Sequence, residues 1–291
     1  MPKVSVILPT YNVAEYLPKC IEALLNQTLS DIEIIFVDDC SPDNSADIIK
    51  FYTDPRIKLV RHKVNKYTAE ARNSGLKIAT GEYISFMDPD DWPETDFLEK
   101  LYILAKEKNA DIAKGIMRFI PANKIRSCNK DIETNKFNFH FMLQTAIYKR
   151  ELIEEHNIRF SIDVICGQFP MVYYANKIVT REDAIYNYLK RPGSCINQTF
   201  SVDKWQKLNI KGVEKTLSFI NTHEITEENY ILVATFLLGL CQYGYIRLSK
   251  EDQITSKELL NKHLDNFWNN LIYKNNSKFN TLYFNTRLKY V

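Results

Sequence analysis

The chain has 291 residues, of which 45% are hydrophobic and 25% are charged, and its formal net charge is +2. This length and composition indicate a globular protein with one large domain or a domain with an appendage, and the nearly balanced charge gives no reason to expect a nucleic-acid partner. The cysteines form no CxxC pair, no signal-peptide pattern opens the sequence, and the longest apolar run, residues 231–241, is too short to cross a bilayer. These features predict a cytoplasmic protein.

The first part of the chain, up to about residue 115, alternates between strand and helix patterns. Continuous apolar runs of strand length are followed by segments whose apolar positions share one helical face, as Leu17, Ile21 and Leu24 do. The predicted strands are residues 3–9, 32–39, 57–62 and 82–88, and the predicted helices are residues 17–25, 45–52, 69–80 (ended by Gly81) and one that begins near Glu94. Buried strands that alternate with helices predict an α/β fold with a mostly parallel, Rossmann-like sheet and helices on both faces.

The pattern changes after Asp111 to strand-like pieces and short helices, and residues 178–194 predict a strand or hairpin that runs into a loop. Beyond Ser201 the pattern is helical. The helices predicted there are residues 202–220, 226–248 and 252–273. The predicted organisation is therefore residues 1–115, residues 116–200, and a C-terminal helical appendage of residues 201–291.

Three of the predicted strands end in polar clusters. The clusters are PTYN (residues 9–12), DDCSPDNS (residues 38–45) and DPDD (residues 88–91). Ligands of open α/β sheets bind beyond the carboxyl ends of the strands, so three clusters on that edge predict a ligand site. No glycine-rich loop follows the first strand, which argues against a dinucleotide-binding Rossmann site, a P-loop and a nucleotidyltransferase.

The DPDD cluster has more than one interpretation from its residues alone. Asp88 and Asp90 are two positions apart, so in an extended chain both carboxylates project to one side and could bind Mg²⁺ or Mn²⁺ together with phosphate oxygens. Alternatively, the cluster is a solvated turn, or Asp90 or Asp91 caps the helix that begins near Glu94. Arg72 is a candidate phosphate contact, with a surface salt bridge as its alternative.

The other two clusters offer groups that suit a nucleotide. Asp38 or Asp39 could accept hydrogen bonds from the N–H groups of a base. Pro9, Thr10 and Tyr11 could line the nucleoside, and the aromatic ring of Tyr11 is available for stacking.

In combination, the segments VSVILPTYN, FVDDCSPDNS, ARNSGL and GEYISFMDPDDW resemble the family 2 glycosyltransferases, which have a GT-A fold. The resemblance continues more weakly through IYKRELIEEHNIRF and IYNYLKRPGS. It implies inverting transfer from a nucleotide-sugar donor, usually a UDP-sugar, to a glycan or lipid-linked acceptor, with Mn²⁺ or Mg²⁺ as cofactor. It also implies that residues 1–115 form the donor half and residues 116–200 the acceptor half of one GT-A domain.

The resemblance assigns roles to individual residues. Asp39 falls on the acid that contacts the base. Asp88 falls on the acid at the ribose side of the DxD motif, and Asp90, two residues on, falls on the metal ligand, so that the two carboxylates make up the metal set. Thr10 and Tyr11 fall on positions that contact the nucleoside.

Two departures from the family pattern bear on these roles. Tyr67 stands where the family often has glycine. Gly167 and Gln168 stand where the family commonly has a Glu-Asp pair whose aspartate deprotonates the acceptor hydroxyl, and an amide cannot take up that proton. Asp163 is the nearest upstream substitute for the base, with a solvated loop acid as its alternative. The alternative function is therefore a catalytically impaired or non-catalytic nucleotide-sugar-binding protein.

The C-terminal residues 266–291 combine basic and aromatic residues without any acid. The basic residues are Lys274, Lys278, Arg287 and Lys289. Such a segment could rest on an anionic membrane surface, where a lipid-linked acceptor is found. A helix packed on the main domain with a solvated basic face is the alternative.

Overall fold

The computed structural model describes residues 1–126, 130–138, 142–161, 164–191, 201–273, 275–277, 279–281 and 283. The chain divides into two compact units, Met1–Arg191 and Pro192–Val291. The strands of the first unit are β1 (Val4–Thr10), β2 (Ile32–Asp38), β3 (Ile57–Arg61), β4 (Tyr83–Phe86), β5 (Trp92–Pro93), β6 (Ile112–Ile120), β7 (Lys124–Arg126), β8 (Ala146–Lys149) and β9 (Ile178–Leu189). Its helices are α1 (Leu17–Leu25), α2 (Ser45–Phe51), α3 (Tyr67–Leu76), α4 (Phe97–Lys108), α5 (Arg150–Glu155) and α6 (Val164–Tyr174), and a 3₁₀ turn, Leu143–Thr145, precedes β8.

The strands form one mixed sheet in the order β3-β2-β1-β4-β8-β6-β9-β5, and β7 pairs with β6. The first four neighbours, β3, β2, β1 and β4, are all parallel. β8 runs antiparallel between β4 and β6, while β6 and β9 are parallel to each other. The strands β1 to β4 are thus the parallel ones, as their continuous apolar runs predict.

Both faces of the sheet are covered by helices. Along β1, Val4, Val6 and Leu8 belong to the core cluster that contains the apolar faces of α1 and α4, whereas Ile7 belongs to the cluster that contains those of α3, α5 and α6. Fully burying one such side chain stabilises the fold by about 1.5–3 kcal/mol relative to leaving it exposed. The predicted α/β fold with helices on both faces is confirmed.

Gly81 has a different role from the predicted helix stop. Helix α3 already ends at Leu76. A Cβ atom on Gly81 would lie 2.5 Å from the backbone nitrogen of Ser5, and the Gly81 N–H donates to Ser5 Oγ at 2.7 Å. Glycine is therefore required here because the loop before β4 lies directly against β1.

Glu33 of β2 is a buried carboxylate that ties this same loop to the sheet. Its Oε1 accepts hydrogen bonds from Ser5 Oγ at 2.5 Å, from the Thr80 N–H at 2.6 Å and from the Gly81 N–H at 3.2 Å. Lys58 lies 2.5 Å from the other oxygen. The charge is thus met by several donors, which is the condition for burying a carboxylate.

The second unit is helical where the structure describes it. Its helices are α7 (Val202–Trp205), α8 (Lys211–Thr222), α9 (Glu227–Tyr245), α10 (Lys250–Thr255) and α11 (Lys257–Asn269), with a π-helical turn, Gln206–Ile210, between α7 and α8. Trp205 is fully buried and donates its indole N–H to the Cys241 carbonyl at 3.1 Å. The predicted C-terminal helical region is confirmed.

The aromatic residues near the C-terminus pack on one another. Trp268 stacks on Tyr283 at 4.4 Å between ring centroids and on Phe279 at 6.3 Å. Tyr283 is buried and donates its hydroxyl to the Leu264 carbonyl. The basic residues of the predicted membrane-contacting segment, Lys274, Lys278, Arg287 and Lys289, lie outside the described residues. In the part of the chain that the structure describes, none of the helices has both the length and the apolar character to cross a membrane.

Candidate functional site

The three polar clusters meet at one edge of the sheet. β2, β1 and β4 are adjacent and parallel, so their carboxyl ends lie side by side. The Asp39 N–H donates to the Thr10 carbonyl at 2.8 Å, and the Met87 N–H donates to the Ile7 carbonyl at 3.0 Å. These bonds carry the strand pairing into the clusters themselves.

Asp39 is 2% exposed, and the described residues contact only one of its two carboxylate oxygens by hydrogen bonds. Its Oδ1 lies 2.7 Å from His62 Nδ1 and accepts from the Lys66 N–H at 2.8 Å. Its Oδ2 is buried and accepts no hydrogen bond from any residue that the structure describes. Asp38, by contrast, forms an ion pair with Arg61 at 3.0 Å. Asp38 Oδ2 is also buried without a hydrogen bond from any described residue, but it has the Arg61 guanidinium as a charged partner. Among the described residues, Asp39 Oδ2 has neither kind of partner.

Tyr11 is the nucleoside-side candidate that presents its side chain to solvent. Pro9 and Thr10 are buried, and the Thr10 hydroxyl donates to the Leu8 carbonyl at 3.0 Å. Tyr11 is 48% exposed. Tyr11 directly follows β1 and Asp39 directly follows the adjacent strand β2, so neighbouring strand ends carry a stacking surface and a hydrogen-bond acceptor.

Asp88 is held from three directions. Arg72 of α3 donates to its Oδ1 at 3.2 Å, and Gln144 of the 3₁₀ turn donates to its Oδ2 at 2.5 Å. The Asp88 N–H donates to the hydroxyl of Tyr186 on β9 at 3.1 Å. Arg72 is itself buried, with its guanidinium 5.6 Å from the centre of the Phe160 ring. The alternative prediction of a surface salt bridge for Arg72 is therefore wrong.

Asp90 and Asp91 each have their own partner. Arg191 Nε lies 2.7 Å from Asp90 Oδ2, and the Leu189 N–H donates to Asp91 Oδ1 at 2.8 Å. Helix α4 begins at Phe97, with Asp96 as its flanking residue. The alternative prediction of a helix cap at Asp90 or Asp91 is wrong, and so is that of a solvated turn, because Asp91 is buried and the other two carboxylates are mostly covered.

The cluster is electrostatically crowded. Burial, together with the neighbouring charges of Asp88 and Asp90, raises the pKa of Asp91 to about 9. Burial and the charge of Asp88 also raise the pKa of Asp90, against the opposing effect of Arg191. Added positive charge would stabilise the ionised form of both carboxyls.

The crowding bears on whether a divalent cation fits. Asp88 and Asp90 offer the hard carboxylate oxygens that Mg²⁺ and Mn²⁺ prefer. Within the described ranges, no group of three or more His, Cys, Asp or Glu side chains is arranged to hold a metal ion. Two carboxylates completed by the oxygens of a diphosphate form a set that suits such a cation, which would compete with Arg72 and Arg191 for the two side chains.

The two residues at the position of the family's Glu-Asp pair are enclosed. Gln168 of α6 is 0% exposed, and its Nε2 donates to the Tyr148 hydroxyl at 2.8 Å. A Cβ atom on Gly167 would lie 2.4 Å from the Phe160 ring, so a glutamate would not fit there without movement of that ring. Asp163 lies outside the described residues.

Tyr67 has a backbone conformation that favours glycine. Its φ is 67°, in the left-handed region, and its side chain is 77% exposed. A non-glycine residue there is strained by roughly 1–2 kcal/mol. The strain gives a physical reason for a glycine at this point, just after the Lys66 N–H that bonds Asp39.

Several residues of the site were missed in the sequence. His62, Ser74, Gln144 and Arg191 all contact a predicted site residue or its partner. His62 directly follows β3 on the same edge as the other clusters, and that position is the signal that could have identified it. Gln144 carries no comparable signal, because its approach to Asp88 depends on a contact between distant segments.

Comparison with known proteins places the chain in a family. The sequence model described as Glycosyl transferase family 2 matches residues 5–169. The poly(ribitol-phosphate) beta-glucosyltransferase of Bacillus spizizenii is 32% identical over 254 residues, a match that covers 81% of this chain and 39% of that relative. The chain thus spans well under half of that relative's length.

Two solved structures have the same fold. S. aureus TarS 1–349 in complex with UDP-GlcNAc is similar with a TM-score of 0.78 at 20% identity, over 99% of this chain and 89% of that chain. The mannosyltransferase PcManGT of Pyrobaculum calidifontis, in complex with GDP-Man and Mn²⁺, is similar with a TM-score of 0.60 at 17% identity, over 99% of this chain and 84% of that chain. This chain belongs to glycosyltransferase family 2 and has the GT-A fold.

Proposed function

We propose that the chain transfers a sugar, with inversion, from a UDP-sugar to a glycan or lipid-linked acceptor. The observation that carries the choice of nucleotide is the buried Asp39 Oδ2, which lacks a donor among the described residues. The exposed Tyr11 follows the strand adjacent to the one that Asp39 follows. Uracil presents one N–H donor on its pairing edge and a flat face for stacking. An acceptor and an aromatic ring at neighbouring strand ends match those two features.

The other residues that contact the nucleotide-sugar are proposed from their positions along the same carboxyl edge of the sheet. The backbone of Pro9 and Thr10 lines the nucleoside, and Asp88 contacts the ribose. Arg72 contacts the diphosphate while keeping Asp88 oriented; the 3.2 Å contact between Arg72 and Asp88 supports this pairing.

Asp88 and Asp90 would hold Mn²⁺ or Mg²⁺. Such a cation, when bound, neutralises charge on the departing nucleoside diphosphate. Arg191 lies against Asp90 and brings a second positive charge to the same place. The charge crowding of the DPDD cluster supports this assignment.

The proton of the acceptor hydroxyl needs an acceptor, and we assign that role to Asp163. Gln168 does not take it up, because an amide is not a base at neutral pH and because its side chain is enclosed against Tyr148. The same enclosed amide is the observation that favours the second candidate function, a nucleotide-sugar-binding protein with little or no transfer.

The acceptor in this proposal is a polymer or a lipid-linked glycan at the cytoplasmic face of a membrane. The name of the Bacillus spizizenii relative, which acts on poly(ribitol phosphate), supports a polymer in polysaccharide biosynthesis. Peripheral membrane contact through residues 266–291 would depend on their basic residues, because Trp268, Phe279 and Tyr283 stack on one another. Sedimentation with anionic liposomes, for the full chain and for a chain ended after Asp265, tests this contact.

A donor panel tests the proposed function. Binding of UDP-sugars, GDP-sugars and CMP-sugars is measured by thermal unfolding with and without Mn²⁺, and transfer is followed by radiolabelled sugar on a membrane or polymer fraction. We expect UDP-sugars to raise the unfolding midpoint in a Mn²⁺-dependent way and label to appear in the acceptor. Binding without label would support the second candidate, and stabilisation by GDP-sugars alone would contradict the choice of nucleotide.

A further inference from the structure

We propose that His62 is a specificity-determining residue that positions Asp39 for a base with an N–H donor. This inference rests on the proposed function, because it takes Asp39 as the acid that contacts the base. His62 does not reach the nucleotide in this proposal. It acts through the carboxylate by fixing which oxygen is free.

The His62 ring is held at both nitrogens. Nδ1 lies 2.7 Å from Asp39 Oδ1, and Nε2 lies 2.9 Å from Ser74 Oγ on α3. The His62 backbone N–H donates to the Asp38 carbonyl at 2.9 Å, and the side chain is nearly buried. The ring therefore has one orientation, and it lies between the base-side acid and helix α3.

The strand register makes this arrangement a property of the sheet. Asp38 and Arg61 are partners across the β2–β3 pair. The next residue on each strand is Asp39 and His62, so continuation of the pairing puts these two side chains together. The contact is thus built by two strands and does not depend on a mobile loop.

The proton positions follow from the partners. The Asp39 carboxylate is an acceptor, so His62 Nδ1 carries the hydrogen and donates to Oδ1. This holds for a neutral ring, in which Nε2 accepts from the Ser74 hydroxyl, and for a protonated ring, in which Nε2 donates to it. Asp39 Oδ1 therefore receives two donors, His62 Nδ1–H and the Lys66 N–H.

The two donors on Oδ1 decide what Oδ2 can do. Because two donors bind Oδ1, the plane of the Asp39 carboxylate is fixed. Oδ2, which has no donor among the described residues, is then the oxygen that accepts from the base. Uracil offers its N3–H to such an oxygen. Cytosine has a lone pair at N3, which faces the carboxylate unfavourably. A site built to accept a hydrogen bond discriminates strongly against a ligand that lacks the donor.

The test compares UDP and CDP, because they differ at the base alone. Their dissociation constants are measured by calorimetry with Mn²⁺ for the wild type and for His62→Asn, His62→Gln and His62→Ala. An asparagine amide nitrogen can replace Nδ1 close to the ring position, whereas glutamine extends past it toward Ser74. His156→Ala, which removes a ring stacked on Tyr174, is the matched histidine control.

We expect His62→Ala and His62→Gln to reduce the preference for UDP over CDP by about 10-fold or more, the size of one hydrogen bond to a charged group. His62→Asn should keep most of the preference, and His156→Ala all of it. Equal weakening of UDP and CDP in the His62 variants would mean a merely structural role and would overturn the inference. So would a His62→Asn variant no more selective than His62→Gln.

Asp39→Asn separates this inference from the proposed function. If the wild type prefers UDP and Asp39→Asn loses that preference while the His62 variants keep it, the inference is wrong and the proposed function stands. If the wild type shows no preference for UDP, or Asp39→Asn keeps it, the base-contacting role of Asp39 fails and the inference fails with it.

Discussion

Arg191 Nε lies 2.7 Å from Asp90 Oδ2, so the acid that we assign to a metal ion is paired with a guanidinium in this structure. The same guanidinium lies 4.7 Å from the centre of the Tyr16 ring. Arg191 lowers the pKa of Asp90, against the larger effects of burial and of Asp88, which raise it. A divalent cation bound at Asp90 would therefore compete with the Arg191 guanidinium for the Asp90 carboxylate.

This competition predicts that Arg191→Met strengthens Mn²⁺ binding in the absence of nucleotide. The pair is partly exposed, so the expected gain is about 2- to 5-fold. Free Mn²⁺ is measured by electron paramagnetic resonance during titration. Lys190→Met is the matched control, because that neighbouring ammonium lies over Phe119 at 5.1 Å. Equal Mn²⁺ affinity in wild type and Arg191→Met would show that Arg191 does not compete with a metal.

Asp90→Ala should remove the Mn²⁺-dependent part of stabilisation by UDP and leave the fold intact. The reason is that we assign an oxygen ligand to Asp90, whereas the bond from the Leu189 N–H to this cluster is accepted by Asp91 and is kept in the variant. Thermal unfolding with UDP, with and without Mn²⁺, measures the effect. Asp183→Ala, at an exposed ion pair on β9, serves as control. A variant that keeps the full metal dependence would rule out Asp90 as the ligand.

Asp163→Asn should reduce transfer by about 10²- to 10⁴-fold, the usual contribution of a positioned base, while UDP binding stays unchanged. Gln168→Asp should not restore transfer, because position 168 is enclosed against Tyr148, and it should lower stability by leaving a buried charge. Single-turnover transfer and thermal unfolding are the measurements. Full turnover by Asp163→Asn would refute the assignment of the base.

Tyr67→Gly should raise the free energy of unfolding by about 0.5–1 kcal/mol. Removing the strain of a left-handed aromatic residue gains more than the added freedom of the unfolded chain costs, and the largely exposed ring loses little packing. Tyr67→Val should instead destabilise, since a β-branched residue tolerates positive φ least. Chemical denaturation gives the free energy of unfolding of the wild type, Tyr67→Gly and Tyr67→Val. A Tyr67→Gly protein less stable than Tyr67→Val would contradict the prediction that the backbone at position 67 is strained.

The lowered pKa of Glu33 predicts that the free energy of unfolding decreases in acid. Burial raises the pKa of Glu33, but hydrogen bonds from Lys58, Ser5 and Thr80 lower it more, so its pKa in the fold is below the ordinary 4.5. Its stabilising contribution is therefore complete above the unfolded pKa and is lost as the pH falls through the folded pKa. Because Lys58 is partly exposed, its ion pair is screened, and the buried donors matter more.

The corresponding measurement is the unfolding midpoint of wild type and Glu33→Gln between neutral pH and about pH 3. The wild type should lose more stability over the acid range than Glu33→Gln does. Glu107→Gln, an exposed carboxylate on α4, is the control and should follow the wild type. Identical acid slopes for wild type and Glu33→Gln would contradict the prediction.

The sheet and its polar edge could be predicted because local sequence carries them. Continuous apolar runs such as β1 and β2 are buried on both faces, and parallel neighbours bring their carboxyl ends together whatever the loops do. The contacts of individual side chains could not be predicted in the same way. The difference between Asp38, paired with Arg61, and Asp39, with a free oxygen, depends on the register between β2 and β3.

The burial of Gln168 against Tyr148 could not be predicted from the sequence either. Helix α6 is apolar around most of its surface, so periodicity does not tell which side faces the sheet. Gly81 illustrates the same limit, since its close approach to Ser5 joins residues far apart in the chain. Contacts of this kind depend on tertiary packing and not on local propensity.

A crystal structure of the protein with UDP and Mn²⁺ tests the central claim most directly. We predict that uracil N3 lies within hydrogen-bond distance of Asp39 Oδ2, that the base stacks on Tyr11, and that the cation contacts Asp90. A UDP molecule whose base lies away from Asp39, with Asp39 Oδ2 still unengaged, would contradict the account.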